Sequence, residues 1–87
     1  MRYELSKRAE KTFDKVDRIT RERIERGLNK IPSGDIIPLE GSEFLFRLRV
    51  GDWRIVFSYE EVIIDKKPET IALVVKIDAR GGIYKGA

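Results

Sequence analysis

The sequence predicts an α+β fold in which an N-terminal strand and a two-helix hairpin pack on a small, mostly antiparallel sheet. Apolar residues recur at helical spacing twice between residues 6 and 31, and they alternate with other residues along 44–59. A further segment, 70–77, is apolar on both alternating faces, which is typical of a strand with neighbours on both sides. Because 87 residues suffice for one modest core, we expect a single domain over 1–87.

The N-terminal third is predicted to form one strand and two amphipathic helices. Tyr3 and Leu5 alternate with polar residues, and Ser6 suits a helix N-cap. The first helix then carries the apolar stripe Ala9, Phe13 and Val16. After a second capping region at 17–20, a second helix carries Ile24, Leu28 and Ile31 and ends before Pro32. The Lys and Arg side chains on the outer faces are either solvated surface or contacts to phosphates or a partner.

The segment 44–59 is predicted to be a β-hairpin, and 32–42 a loop because it holds two prolines and two glycines. Gly51-Asp52 between two alternating runs indicates a two-residue turn of type II′ or I′. In that register Val50 faces Trp53, and the pairs Phe46–Phe57 and Leu48–Ile55 make one face apolar. On the other face Arg49 lies directly opposite Arg54, and Arg47 lies diagonal to Arg54.

These three arginines have two possible explanations. Like charges opposed across a hairpin destabilise it, and the hairpin residues 44–58 place no Asp or Glu on that face. Arginine binds phosphate well because its planar fork donates two parallel hydrogen bonds. The face is therefore either a phosphate-binding surface or a charged, solvated surface that protects the sheet from aggregation.

The C-terminal segment adds two further candidates. Residues 65–68 are predicted to be a turn before the strand that carries the stripe Ile71, Leu73, Val75 and Ile77. Arg80 follows this strand, and Tyr84 comes after a glycine-rich turn. A phenol beside guanidinium groups would ionise more easily and would stack on a base. The structural alternative is that Arg80 caps the strand and that Tyr84 packs the tail.

Composition excludes several kinds of site. The chain has no cysteine and no histidine, so disulfides, thiolate chemistry, the usual zinc sites and histidine bases are excluded. The sequence offers no cluster of carboxylates that would bind a metal ion, and we expect no cofactor. The net charge of +3 is too small to indicate a nucleic acid by itself. Because no apolar stretch resembles a signal or a membrane span, we expect a cytoplasmic protein with no membrane partner.

Three segments together resemble the RelE/ParE superfamily of toxin–antitoxin proteins, specifically RelE-type mRNA interferases, including archaeal ones. They are Leu39-Glu40-Gly41, the hairpin 46–57, and Arg80-Gly81-Gly82-Ile83-Tyr84-Lys85. The resemblance implies a RelE-like domain with a short strand, two helices and three antiparallel strands. It also implies the toxin of a type II toxin–antitoxin system, with a RelB-like antitoxin as its partner.

RelE-type toxins cleave mRNA in the ribosomal A site and thereby inhibit translation, so the resemblance implies a metal-independent endoribonuclease with mRNA and the ribosome as partners. In this sequence Arg54, Arg80 and Tyr84 match the catalytic positions of the family. Arg47 and Arg49 match a basic pair that is lysine in some bacterial members, and together with Lys85 they would bind RNA phosphates. The resemblance implies attack by the RNA 2′-OH, with Tyr84 orienting or deprotonating it.

Two other functions remain open from the sequence. ParE-type relatives share the hairpin but act on DNA gyrase, so the chain would then be a toxin without nuclease activity. A plain RNA-binding module is the third possibility, although the sequence lacks the interleaved exposed aromatic residues that such modules use for stacking.

Overall fold

The computed structural model describes residues 1–79, which form two helices and one five-stranded sheet. The elements are β1 (Tyr3–Leu5), α1 (Lys7–Lys15), α2 (Arg18–Asn29), β2 (Asp35–Pro38), β3 (Leu45–Val50), β4 (Trp53–Ile64) and β5 (Lys67–Ala79). The strand order is β1-β5-β4-β3-β2; β1 runs parallel to β5, and the other neighbours are antiparallel. The predicted α+β class and mostly antiparallel sheet are confirmed.

Both helices begin at the predicted caps. The Ser6 hydroxyl accepts a hydrogen bond from the Ala9 N–H at 3.1 Å and donates one to the Val75 carbonyl at 3.2 Å, which ties the start of α1 to β5. The Asp17 carboxylate caps α2 by accepting hydrogen bonds from the hydroxyl and the N–H of Thr20, and these bonds hold its pKa below the usual value.

The core lies between the two helices and one face of the sheet. The helices contribute Ala9, Ile24 and Leu28, with Ile31 following α2, and the strands contribute Leu48, Ile55, Phe57, Ala72, Val74 and Ile77. Each of these residues is at most 2% exposed, and burying a side chain of the Leu, Ile or Phe type stabilises a fold by about 1.5–3 kcal/mol. Within residues 1–79, neither helix has the length and apolar character that crossing a membrane requires.

The β3–β4 hairpin has the predicted register. Val50 pairs with Trp53, Leu48 with Ile55, and Phe46 with Phe57. Gly51 has a φ of 59°, which the tight turn requires at this position. The hairpin begins one residue later than predicted, because Phe44 lies before the first residue of β3 and is 73% exposed.

The predicted loop 32–42 is wrong in part because it contains the strand β2. Asp35–Pro38 pairs antiparallel with β3, so four strands rather than three follow the helices. This strand has only four residues between Gly34 and Leu39, and it ends in a proline. Proline is tolerated there because β2 is the edge strand and needs no donor on its outer side.

Strand β5 is longer and less regular than predicted. The turn consists of Asp65 and Lys66 alone, with φ values of 51° and 66°, so β5 begins at Lys67 instead of Thr70. A β-bulge opposite Val56 and Phe57 then inserts one extra residue into β5. Val74 and Ile77 consequently share the core face, and the predicted unbroken stripe of alternate residues is wrong.

Candidate functional site

The sheet face that points away from both helices, here called the open face, carries the three predicted arginines. Leu48 and Ile55 point into the core, so their strand neighbours Arg47, Arg49 and Arg54 point to the opposite side. Arg49 is directly opposite Arg54, as predicted, and Arg47 is opposite Val56. The alternating strands therefore bring the three guanidinium groups to one surface.

Acidic residues from the neighbouring strands flank these arginines. Asp35 on β2 is the register partner of Arg49, and Asp78 on β5 is the register partner of Arg54. Across four strands the charges at this level therefore follow the order negative, positive, positive, negative. This arrangement offsets the repulsion between Arg49 and Arg54, and sequence analysis of the hairpin alone did not reveal it.

The two acids also make ion pairs along the open face. An Asp35 carboxylate oxygen (Oδ1) lies 3.4 Å from Nη2 of Arg47. An Asp78 oxygen (Oδ2) lies 3.0 Å from Nζ of Lys76. Among residues 1–79, the side chains of Arg49 and Arg54 form no ion pair within 4 Å. Their charge is therefore less compensated than that of Arg47.

The three arginines differ in accessibility. Arg47 is buried at 9% exposure, Arg54 is half-buried, and Arg49 is exposed. The Nε atoms of Arg47 and Arg54 are buried, and neither has a hydrogen-bond partner in the described part of the chain. An unpaired buried donor costs about 1–3 kcal/mol, so Arg47 and Arg54 are held in these positions at some cost to stability.

A shallow groove of about 440 Å³, here called the open-face groove, runs beside these side chains. It is lined by the end of β2 and the following loop, together with the arginines: Ile37, Pro38, Leu39, Glu40, Arg47, Arg49 and Arg54. Leu39 and Glu40 belong to one of the segments that carry the family resemblance. The groove thus combines an apolar wall with a cationic wall, which suits a ligand that has both bases and phosphates.

The chemistry of this face is mainly that of anion binding. Arginine side chains remain protonated in proteins, so they stabilise negative charge and do not accept protons. Proton transfer would need another group, and the carboxylates of Asp35, Glu40 and Asp78 are the acidic groups in this region. In the described chain, no three Asp or Glu side chains cluster as a metal site requires.

Three predicted site residues, Arg80, Tyr84 and Lys85, lie outside the described residues. The described chain ends at Ala79, which pairs with Trp53, the residue before Arg54. Sequence analysis missed Asp35 and Asp78 as neighbours of the arginines. The signal for Asp35 was the short run Asp35-Ile36-Ile37 in the predicted loop, which an edge strand beside β3 explains.

Comparison with known proteins identifies the fold. No model of a protein family and no curated protein matches the sequence. Among solved structures, the chain is similar to the crystal structure of the RelB–RelE antitoxin–toxin complex from Methanococcus jannaschii, with a TM-score of 0.66 and 19% sequence identity. The match covers 94% of this chain and 95% of the matched chain in that complex. The protein therefore has a RelE-like fold, as the resemblance in its sequence implied.

Proposed function

We propose that this chain is the toxin of a type II toxin–antitoxin system and an endoribonuclease that cleaves mRNA in the ribosomal A site. The observation that carries the proposal is the opposed pair Arg49 and Arg54 on the open face of a RelE-like fold. Asp35 and Asp78 offset part of the repulsion between these two cations, but within residues 1–79 neither arginine forms an ion pair within 4 Å, so both can bind an anionic ligand. An RNA phosphate group is such a ligand.

The proposed reaction uses the 2′-OH of the RNA as the nucleophile. Its oxygen bonds to the adjacent phosphorus while the bond from phosphorus to the 5′-oxygen breaks. The products are a 2′,3′-cyclic phosphate and a fragment with a 5′-OH. One proton leaves the 2′-OH, and one is delivered to the departing 5′-oxygen. Tyr84 is proposed to orient or deprotonate the 2′-OH, and this assignment rests on the sequence resemblance.

The arginines have distinct proposed roles that follow from their surroundings. Arg54 is half-buried, so its charge is screened less by water than that of an exposed residue, which suits stabilisation of the transition state. Arg80 is proposed as the second cation there, again from the resemblance. Arg49 is exposed and would bind a flanking phosphate, as would Lys85. Arg47 is paired with Asp35 and is the least accessible, so it would act on phosphates mainly through its charge.

The test is to add the purified chain to a translating extract and to map new mRNA 5′ ends by primer extension. We expect ends at A-site codons, with cyclic phosphate and 5′-OH termini. Arg54→Gln should lower the cleavage rate by about 10²–10³, as the loss of a preorganised charge typically does. Tyr84→Phe, which lacks only the hydroxyl, should also lower the rate. Intact mRNA in the extract, together with arrested growth of cells that express the chain, would contradict the nuclease assignment and favour a toxin that acts on a protein such as gyrase.

The same fold leads us to propose a RelB-like antitoxin as partner. The open-face groove offers exposed apolar surface at Ile37, which is 49% exposed, next to the cations Arg49 and Arg54. An antitoxin segment with acidic and apolar side chains would complement both. Co-expression with the neighbouring gene should give a complex in which hydrogen exchange protects β3 and β4 around residues 47–54. Hydrogen-exchange protection that is confined to other parts of the chain would contradict this binding location for the antitoxin.

A further inference from the structure

A second cationic groove lies on the other side of the β2–β3 edge. This cavity of about 300 Å³, here called the α2 groove, lies between α2 and the adjoining ends of β2 and β3. Its cationic residues are Arg23, Arg26, Lys30 and Arg49, and Gly27, Leu48 and Val50 form its apolar floor. The proposed nuclease site uses none of the three cations from α2 and the residue after it.

The cations of the α2 groove are available for a ligand. Arg23, Arg26, Lys30 and Arg49 are all exposed, and none of them forms an ion pair within 4 Å in residues 1–79. The one acidic residue that lines the groove is Asp35, and its carboxylate is paired with Arg47. The groove thus has four cations against one carboxylate, and that carboxylate is paired with Arg47.

Helix stability explains only part of this charge. Cations near the C-terminus of a helix interact favourably with the helix dipole, which accounts for Arg26 and Lys30. Arg26 also lines a depression together with Glu22 and Glu25, whose negative charges offset its own. Neither explanation applies to Arg23, which lies nearer the middle of α2 and whose guanidinium lies over the β3–β4 turn near Gly51.

The spacing of the cations fits a polyanion. Arg26 and Lys30 lie three and seven residues after Arg23, on the same side of α2. At a rise of 1.5 Å per residue, the three side chains are spread over about 10 Å. One strand of a stacked nucleic acid carries a phosphate about every 3.4 Å, so this row covers about three phosphates.

We infer that the α2 groove binds the phosphate backbone of an RNA strand and forms a second RNA-binding site. Arg49 lines both the α2 groove and the open-face groove, so the two surfaces meet at that side chain. This continuity favours one long ligand over a separate acidic protein segment. The inference rests on the proposed function for its choice of RNA, but it concerns binding and not cleavage.

The test measures binding to a fluorescent single-stranded oligonucleotide of about 12 nucleotides, within the range that single-strand sites cover. The oligonucleotide is 2′-O-methylated throughout, so no 2′-OH can attack. The double variant Arg23→Gln/Lys30→Gln is compared with Lys11→Gln/Arg18→Gln, which also removes two exposed cations but from positions outside the α2 groove. Affinity is measured by anisotropy over a series of salt concentrations, and melting temperatures verify that both variants fold.

We expect the α2-groove variant to lose about tenfold in affinity and to lower the slope of log affinity against log salt by about 1.4, because each phosphate contact on a single strand contributes about 0.7. The control variant should keep the parent slope. Equal slopes in all proteins, or no binding by the parent, would overturn the inference. The extract assay decides the proposed function separately: binding through the α2 groove without cleavage would refute the nuclease alone, and cleavage with unchanged slopes would refute this second site alone.

Discussion

The arginines on the open face have different neighbours. The stability that is lost when a neighbour is removed therefore differs from one arginine to the next. Arg47 is nearly buried and depends on Asp35, whereas Arg49 is exposed and faces Arg54 directly. A buried cation that loses its partner destabilises a protein far more than an exposed one does. Asp35 therefore has a structural role at the edge of a surface that we propose for RNA binding.

Asp35→Asn tests this role. We expect it to lower the free energy of unfolding by about 1 kcal/mol, less than for a fully buried pair because the Asp35 side chain is 55% exposed. Urea denaturation of the parent, Asp35→Asn, Arg47→Met and the double variant measures the coupling between the two side chains. A coupling free energy near zero would mean that Asp35 does not stabilise Arg47.

For these side chains the sequence predicted the direction in which the arginines point, but it did not predict the residues that surround them. Alternation against the core residues Leu48 and Ile55 fixed the direction of Arg47, Arg49 and Arg54. The flanking acids come from strands that are distant in sequence. No local pattern in 44–58 indicates that Asp35 and Asp78 become cross-strand partners.

Among the elements, the distance between α2 and β3 is set by a glycine. A Cβ atom added to Gly27 would lie 2.7 Å from Cγ2 of Val50 and 3.6 Å from Cδ2 of Leu48. Glycine weakens a helix interior by about 1 kcal/mol relative to alanine, so its presence in α2 needs a packing reason. The close approach of the strand supplies that reason.

Gly27→Ala should therefore destabilise the protein even though alanine favours helix. We expect a net loss of about 1–3 kcal/mol from overpacking. Val50→Ala removes the methyl group that causes the clash, so the double variant Gly27→Ala/Val50→Ala should be more stable than the sum of the two single effects predicts. Thermal or urea unfolding of the four proteins provides the measurement. A stabilising Gly27→Ala would show that α2 and β3 are not held at this distance.

The β4–β5 turn contains a lysine in a left-handed conformation that glycine adopts more easily. Asp65 and Lys66 both have positive φ, the geometry of a type I′ turn, in which glycine is favoured at the second position. Lys66→Gly should raise the free energy of unfolding by up to about 1 kcal/mol, since a left-handed conformation costs an ordinary residue about that much. Lys67→Gly, one residue later within β5, should instead destabilise. The opposite order of stabilities in urea would contradict the turn geometry.

The elements that the sequence did not predict share a physical cause. Strand β2 is a four-residue edge strand whose only neighbouring strand is β3, so no pattern within 32–42 indicated that it is extended. The bulge in β5 changes the alternation at one residue, and both alternating faces of that strand are largely apolar. An apolar residue on either side of such a strand satisfies the pattern, so the sequence cannot locate the bulge.

In the molecule as a whole, the two faces of the sheet carry different kinds of residue. The helix face holds the core, including Ile55 at 0% exposure, and the open face holds the open-face groove with its three arginines. Arg54 and Ile55 are adjacent on β4, yet they belong to different faces. The RelE-like fold persists at 19% identity because the core needs only apolar residues of suitable size, whereas a phosphate site needs particular side chains.

The most direct test of the proposed function compares cleavage and stability in two variants on adjacent residues. Ile55→Val removes one methylene from the core and should cost about 0.5–1.5 kcal/mol, or several degrees of melting temperature, with little change in cleavage rate below that temperature. Arg54→Gln should change stability by at most about 1 kcal/mol and should lower the rate of mRNA cleavage in a translating extract by about 10²–10³. Cleavage by Arg54→Gln at the parent rate, in a protein that melts near the parent temperature, would contradict the claim that the open face is the nuclease site.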